Sequence, residues 1–367
     1  MDRYRSSPAR LFFTVCLFWL SGCGWGSAPP DNSVEEDVAD AADDPPIVAP
    51  ATALPAASQA TSGRPLKAGD RFPLLKTVTQ TLQQPSPNGW VTSRSTLEML
   101  MSVTVEEIHP LDGRPQGLDP RSGQKRLQVN YHRVRFSQDL PGQPRLEYDS
   151  NVPTSPVPQA ALGYHGLKDN GFGFWTGSDN QIVELAAFDQ FVSRCFNDVP
   201  VARRQQAAAA MVLPAAEAIA CFVDDTVGVL PATAVREGDC WVRDREVLQP
   251  VPLHVSNKCT VRRMTPELAQ IEILGIISAP TPNSSIHQPG STARVVVRGG
   301  KSQGDCLVDR RTGLPVESRA EQSLEMTVRM PDGSEFDQQK STLTTIQSVP
   351  DSSPPPRVAQ GADDTAR

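Results

Sequence analysis

The sequence predicts an α+β protein, mostly antiparallel β, in which two β-rich halves flank a central helical segment. Three observations predict it. Apolar residues recur with period two on both sides of the chain's middle, helical spacing is confined to the middle, and both flanks open on a Gly-Asp pair.

In the first flank Leu97, Met99, Met101, Val103 and Val105 alternate with Glu98, Ser102, Thr104 and Glu106, with Leu100 on the polar side. This is the pattern of a half-buried strand. Leu127, Val129 and Tyr131 alternate likewise, and the phase then shifts to Val134 and Phe136, as a bulge near His132 would produce.

In the second flank Val316, Ala320, Leu324, Met326, Val328 and Met330 share one face, opposite Glu317, Arg319, Glu321, Glu325 and Arg329. A turn at Pro331-Asp332-Gly333-Ser334 sends the chain back through a Thr- and Gln-rich strand from Phe336 to Ile346, so one side of this hairpin is wet. Such clean alternation belongs to antiparallel sheets with one covered face.

Between the flanks, Ala186–Phe196 and Val201–Leu213 carry helical period and composition, with Pro200 and Pro214 as breaks. A third helix is predicted from Ala215 to about Val223, ending before Asp224-Asp225. Ala68-Gly69-Asp70-Arg71-Phe72 and Glu237-Gly238-Asp239-Cys240-Trp241 open the two flanks, and each flank later has a Gly-containing turn, Trp175–Ile182 and Asp309–Pro315. The parallel suggests an internal duplication.

The ends of the chain differ from this body. Arg3, Arg5 and Arg10 precede the apolar run Leu11–Leu20, which suits a signal peptide and is too short to span a bilayer. Leu20-Ser21-Gly22-Cys23 follows, and it resembles the lipobox of bacterial lipoprotein precursors. The resemblance implies that Cys23 becomes the acylated first residue; an ordinary secretory leader cut near Ala28 is the alternative. From Gly24 to about Gly63 the chain is Pro-, Ala- and Asp-rich with almost no large apolar residue, so it reads as a disordered tether.

The expected organisation is therefore a signal peptide over 1–22, an acylated Cys and tether over 23–65, and a first β-rich half over 66–185. A helical connection over 186–229, a second β-rich half over 230–347 and a disordered tail over 348–367 complete it. The expected location is the cell envelope, lipid-anchored to a bacterial membrane and facing the periplasm or exterior. The membrane, through the lipid on Cys23, is the expected partner, together with envelope proteins or lipids.

The formal charge is −7 for the whole chain. Removing residues 1–22, with three Arg and one Asp, leaves about −9, which argues against nucleic acid as a partner.

The run Leu230-Pro231 to Gly238-Asp239-Cys240-Trp241 resembles the segment opening the second half of a family of uncharacterised bacterial envelope lipoproteins, a domain of unknown function. In that family a Ser, Thr or similar residue usually stands where this chain has Cys240. The resemblance implies an envelope location and a β-rich fold, and supplies no catalytic residues.

No catalytic residue, cofactor site or metal site is expected. His109, His132, His165, His254 and His287 lack metal-ligand spacing, and no Gly-x-Ser-x-Gly elbow is present. Gly171-Phe172-Gly173 lies in an aromatic strand, where close packing explains it better than a phosphate loop. Asp224-Asp225 reads as a solvated or capping pair at a helix end, and Tyr164-His165 with Asp169-Asn170 as loop polarity.

Once Cys16 is removed and Cys23 acylated, five cysteines remain, an odd number. Cys195 and Cys221 flank the helical middle and are the candidate disulfide pair, with buried thiols as the other reading. On these grounds a non-enzymatic interaction or scaffold module stands first. A carrier for a lipid or other apolar ligand, drawing on the Met-rich faces at Met99, Met101, Met326 and Met330, comes second. An envelope hydrolase is third.

Overall fold

Residues that alternate in the sequence alternate in burial. In the computed structural model, which describes residues 65–86, 89–110, 121–201, 204, 213–247, 251–280, 286–287 and 294–350, they build thirteen strands of one antiparallel sheet. The strands are β1 (Arg71–Ser86), β2 (Gly89–Ile108), β3 (Lys125–Asp139), β4 (Leu146–Asp149), β5 (Gly171–Thr176), β6 (Ile182–Ala186) and β7 (Cys240–Val247). They continue with β8 (Leu253–Met264), β9 (Leu268–Ser278), β10 (Ile286–His287), β11 (Arg294–Asp309), β12 (Pro315–Arg329) and β13 (Glu335–Ser348). Their order is β6-β5-β3-β2-β1-β13-β12-β11-β9-β8-β7, with β4 beside β3 and β10 beside β11.

This corrects the expected α+β class. The two flanks are not separated by a helical segment, because β1 pairs with β13 from Leu74↔Ser348 to Gln83↔Gln339 and fuses them into a single sheet. Helix among the described residues comprises a 3-10 turn at Gln159–Ala161, three short segments, α1 (Leu162–His165), α2 (Phe188–Cys195) and α3 (Ala215–Phe222), and the helical positions Val201 and Arg204. The first of these lies in the β4–β5 connection, outside the expected helical middle. Most of the helix expected over Val201–Leu213 falls outside the described residues, as do Cys23, the tether and residues 351–367.

The sheet is strongly curled. The β5–β6 turn and the β11–β12 turn are six strand positions apart, about 29 Å along a flat sheet at ~4.8 Å per strand. They nevertheless touch: Asn180 Nδ2 donates to the Arg310 carbonyl at 3.0 Å, and Lys125 Nζ donates to the Arg311 carbonyl at 2.7 Å and to Asn180 Oδ1. The free edges β6 and β7 are not paired with each other. Residues 224–230 bridge them instead, through Gln181 Nε2 on the Leu230 carbonyl and Arg243 on the carbonyls of Asp225 (2.8 Å) and Val227 (3.3 Å).

The two Gly-Asp openings are built alike. Gly69 (φ 90°) and Gly238 (φ 87°) each donate to a valine carbonyl of the next strand, Val105 and Val261, both at 2.8 Å. Asp70 and Asp239 each accept the N–H of the residue three positions earlier, Lys67 and Arg236. In β3 the bulge falls at His132, since Leu100 faces Arg133 and Met101 faces Tyr131. The expected Asp332-Gly333 turn closes with Met330 N–H on the Ser334 carbonyl at 2.8 Å.

Candidate functional site

The inner face of the sheet is dry at both ends and open between them. On β1 the even-numbered residues face inward: Leu74, Lys76, Leu82 and Gln84 are buried, whereas Val78 and Gln80 stay partly exposed. The neighbouring strands show the same pattern. In the register row of Lys76, Met99 and Ile346 are buried with Ser318 beyond them, all at 2% exposure or less. In the next two rows Leu97, Val78, Thr344 and Ala320, then Ser95, Gln80, Thr342 and Gln322, face inward yet remain partly exposed. Past them Leu82, Ser93 and Leu324 are buried again, and Gln338 Nε2 donates to Gln84 Oε1 at 2.8 Å to close that end.

The result is a trough about two rows deep. Its best-formed part lies against Gln80, Thr81, Leu82, Ser93, Arg94, Ser95, Gln138, Leu140 and Lys340 and is shallow, enclosing about 20 Å³, room for about one water. Lys340 shares the inward register with Leu82 and Leu324. Burial pushes its ammonium down to about 8. Glycine positions on the far wall, Gly304 and Gly275, add no side chain to these rows. At Gly304 the close approach of β12 explains the choice, for a Cβ would stand 2.4 Å from the Arg319 carbonyl oxygen.

The other end of the inner face is filled by α3 and the chain after it. Lys76 Nζ donates to the carbonyls of Ala220 and Cys221, both at 2.9 Å, and Tyr131 Oη donates to the Phe222 carbonyl at 2.8 Å. Phe222 meets Phe191 of α2 edge-on at 5.2 Å and Phe172 of β5 at 6.1 Å. Lysine serves here because the carbonyls at a helix C-terminus are unpaired acceptors.

Asp224-Asp225 is not the solvated pair that the sequence suggests. Asp224 is 1% exposed and accepts the Thr226 N–H at 2.7 Å and the Thr226 hydroxyl; burial raises its carboxyl above the ordinary 3.8. Asp225 pairs with Arg245 on β7. The signal that could have found them is Arg243 and Arg245, inward-facing cations on a strand of alternating burial.

The remaining candidates disperse. Cys195 and Cys221 are separate thiols: α2 and α3 pack through phenylalanines, while Cys195 Sγ accepts from Asn170 Nδ2 at 3.3 Å and Cys221 lies toward Lys76 on β1. Burial pushes the Cys195 thiol up to about 12. Tyr164 packs under Phe136, His165 Nδ1 meets the Tyr148 hydroxyl at 2.5 Å, and Asn170 is a structural hub, so these residues form no acid-base cluster. Met99, Met101 and Met326 are core residues at 2% exposure or less and do not line the trough. Gly171 is required by packing, since a Cβ would stand 2.0 Å from the Val129 carbonyl oxygen. No group of three or more His, Cys, Asp or Glu suited to a metal occurs among the described residues.

One sequence family matches residues 122–315, more than half of the chain, and its description is a family of unknown function, DUF6263. The chain belongs to that family. The DUF6263 match begins in the turn before β3 and ends at the first residue of β12, so it takes in both touching turns and the bridging segment. No curated protein matches the chain.

Solved structures resemble this DUF6263 member only remotely. Lipovitellin, described for its lipid–protein interactions, is 10% identical with a TM-score of 0.36; the match covers 78% of this chain, and the chain spans only about a quarter (26%) of lipovitellin. An outer membrane channel from Pseudomonas putida F1 is 7% identical, with 80% of this chain and 100% of the channel covered at a TM-score of 0.19. A DUF1329 family protein from Desulfovibrio piger ATCC 29098 is 10% identical, with coverages of 77% and 88% and a TM-score of 0.13. Likenesses of this size carry no argument about the chain. Its outward face speaks for itself: Glu317, Arg319, Glu321 and Glu325 occupy that side of β12. A lipid-facing band of a transmembrane barrel does not tolerate such a row of charges.

Proposed function

We propose that this protein is a non-enzymatic binding module that holds an elongated amphipathic ligand of lipid type in the trough, and that a lipid on Cys23 keeps it at a bacterial envelope membrane. The supporting observation is the pair of inward rows carrying Val78, Leu97, Gln80 and Ser95, which stay partly exposed between two dry layers. An interior that serves only as a core is filled to crystal-like density, and a ligand site is concave with an apolar lining and a few polar groups. The sequence alone ranks an interaction or scaffold role first; the trough reverses that order in favour of the carrier.

The test is mass spectrometry of lipids retained by the full chain purified from its own envelope, alongside a variant whose trough is filled by Ala320→Phe. A co-purifying amphipathic lipid that the filled variant lacks supports the reading. Its absence from both proteins overturns it. A scaffold role keeps one specific observation of its own, the exposed Val242, Leu274 and Ile276 on the outward side of β7 and β9. Crosslinking in intact envelope that captures a protein through those residues, with an empty trough, would favour it.

A further inference from the structure

We infer that the outward side of β7 to β9 is a membrane-contact surface, where Val242, Leu274 and Ile276 settle into the headgroup region of an anionic bilayer while Lys258 and Lys301 meet its phosphates. This rests on the envelope location proposed above and adds which face of the body meets the lipid. It requires no ligand in the trough.

Register gathers these five residues. Val242, Leu274 and Ile276 are 61%, 52% and 68% exposed on the side of the sheet away from the core. Val242 and Leu274 share a row with Lys258 of β8 between them, and Ile276 stands in the next row beside Lys301 of β11. Two rows across four strands cover a field of ~14 Å by ~7 Å. Single exposed aliphatic side chains are ordinary, but a group of them beside cations marks a contact surface.

Charge selects the partner. Lys258 and Lys301 are exposed, and neither has an ion-pair partner among the described residues. The nearest carboxylates are matched: Glu272 pairs with Arg262, and Asp244 Oδ1 lies 3.6 Å from His254 Nε2. Glu246 and Asp305 stand one row beyond the patch on either side, and Asp305 faces Arg319 across the β11–β12 pair. Unmatched lysines on a chain of net charge −7 suit an anionic surface, where each lysine contributes to binding. Lysine is depleted from protein–protein interfaces, whereas at a bilayer its stem lies along apolar surface and its ammonium stays at the phosphates. Glu317, Glu321 and Glu325 on the outward side of β12 are repelled by the same bilayer, which confines the contact to the corner formed by β7 to β9. With a lipid on Cys23 holding the chain nearby, a weak patch is enough to orient the body.

The experiment uses the processed chain from residue 23 onward carrying Cys23→Ser, which keeps every described residue and removes the covalent anchor. It measures co-sedimentation with phosphatidylcholine vesicles with and without phosphatidylglycerol. The expected result is binding at least about tenfold tighter to the anionic vesicles, weakening as salt is added. The double variant Lys258→Gln, Lys301→Gln should abolish that preference, and Leu274→Ser with Ile276→Ser should weaken binding to the anionic vesicles about tenfold. No binding to either vesicle, equal binding to both, or binding that survives the two serine substitutions overturns the membrane contact. Sedimentation velocity without vesicles separates the other occupants. Self-association that the serine substitutions abolish, in a chain that ignores vesicles, assigns the patch to a second copy and overturns the lipid assignment. Crosslinking from this patch to an envelope protein, again without vesicle binding, overturns it in favour of a protein partner. Lipid retained in the trough is measured separately, so failure here leaves that reading standing.

Discussion

Asn180 and Gly313 hold the same left-handed backbone conformation, φ 64° and 73°, in two turns that press against each other where the curled sheet meets itself. A Cβ on Gly313 would stand 2.4 Å from the Asn180 Cβ. Gly313→Ala therefore combines an unfavourable φ with a clash against the Asn180 side chain at its Cβ, and should cost about 2–4 kcal/mol in equilibrium unfolding. Gly333→Ala is the control, with φ 81° but nothing within 4 Å of the added atom, and should cost only about 1 kcal/mol. Equal losses would show that the contact between the turns contributes nothing.

Lys76→Met tests the junction between α3 and the sheet. It removes two hydrogen bonds to backbone carbonyls and deprives buried Asp224 of the cation whose charge offsets its own, so urea unfolding should show a loss of about 2–4 kcal/mol. A double-mutant cycle with Asp224→Leu should recover part of that loss, since both buried charges are then gone.

The pH dependence of Lys340 has a definite sign. Its folded value of about 8 lies below the ordinary 10.5, so between those values the unfolded chain binds more protons and stability rises with pH. Below about pH 8 the lysine is charged in both states and its burial cost is constant. Lys340→Met should therefore be more stable than the parent at pH 7, with the gap narrowing as pH climbs toward 10.5; a gap independent of pH would contradict the burial of this ammonium.

Cysteine exposure predicts a labelling order. Cys240 lies exposed on the edge strand β7, whereas Cys195, Cys259 and Cys306 are buried with thiols raised by burial. Brief alkylation of the folded chain, read by peptide mass spectrometry, should modify Cys240 first and those three last. After unfolding without reductant Cys195 and Cys221 should both alkylate; resistance of that pair would reveal a disulfide between them.

Local pattern made much of the sheet legible. Alternation located β2, β3 and β12, the phase shift located the bulge at His132, and the Gly-Asp pairs marked two turns with matching hydrogen bonds. Phe188–Cys195 and Ala215–Phe222 lie within segments whose helical spacing announced them. The pairing of β1 with β13 was not legible, because polar residues such as Thr79, Gln80 and Thr342 carry no mark of a partner some 260 positions away. Asp224 was misread for a related reason: its burial depends on Lys76, far upstream, while its neighbours in sequence look like a helix end. The trough was invisible because openness is a property of rows across strands. Of the methionines that suggested a ligand surface, Met99, Met101 and Met326 are buried core residues and Met330 is partly buried.

Because β13 completes the middle of the sheet rather than an edge, the order of synthesis sets the order of closure. Until β13 leaves the ribosome, β1 presents an unpaired ladder from Leu74 to Gln83, and the far strands β7 to β12 have no template joining them to the first half. Long-range closure of this kind is slow and leaves edges open to wrong partners. Loss of the last fourteen-residue strand would therefore split the sheet into two incomplete pieces, where trimming β7 would only shorten one edge.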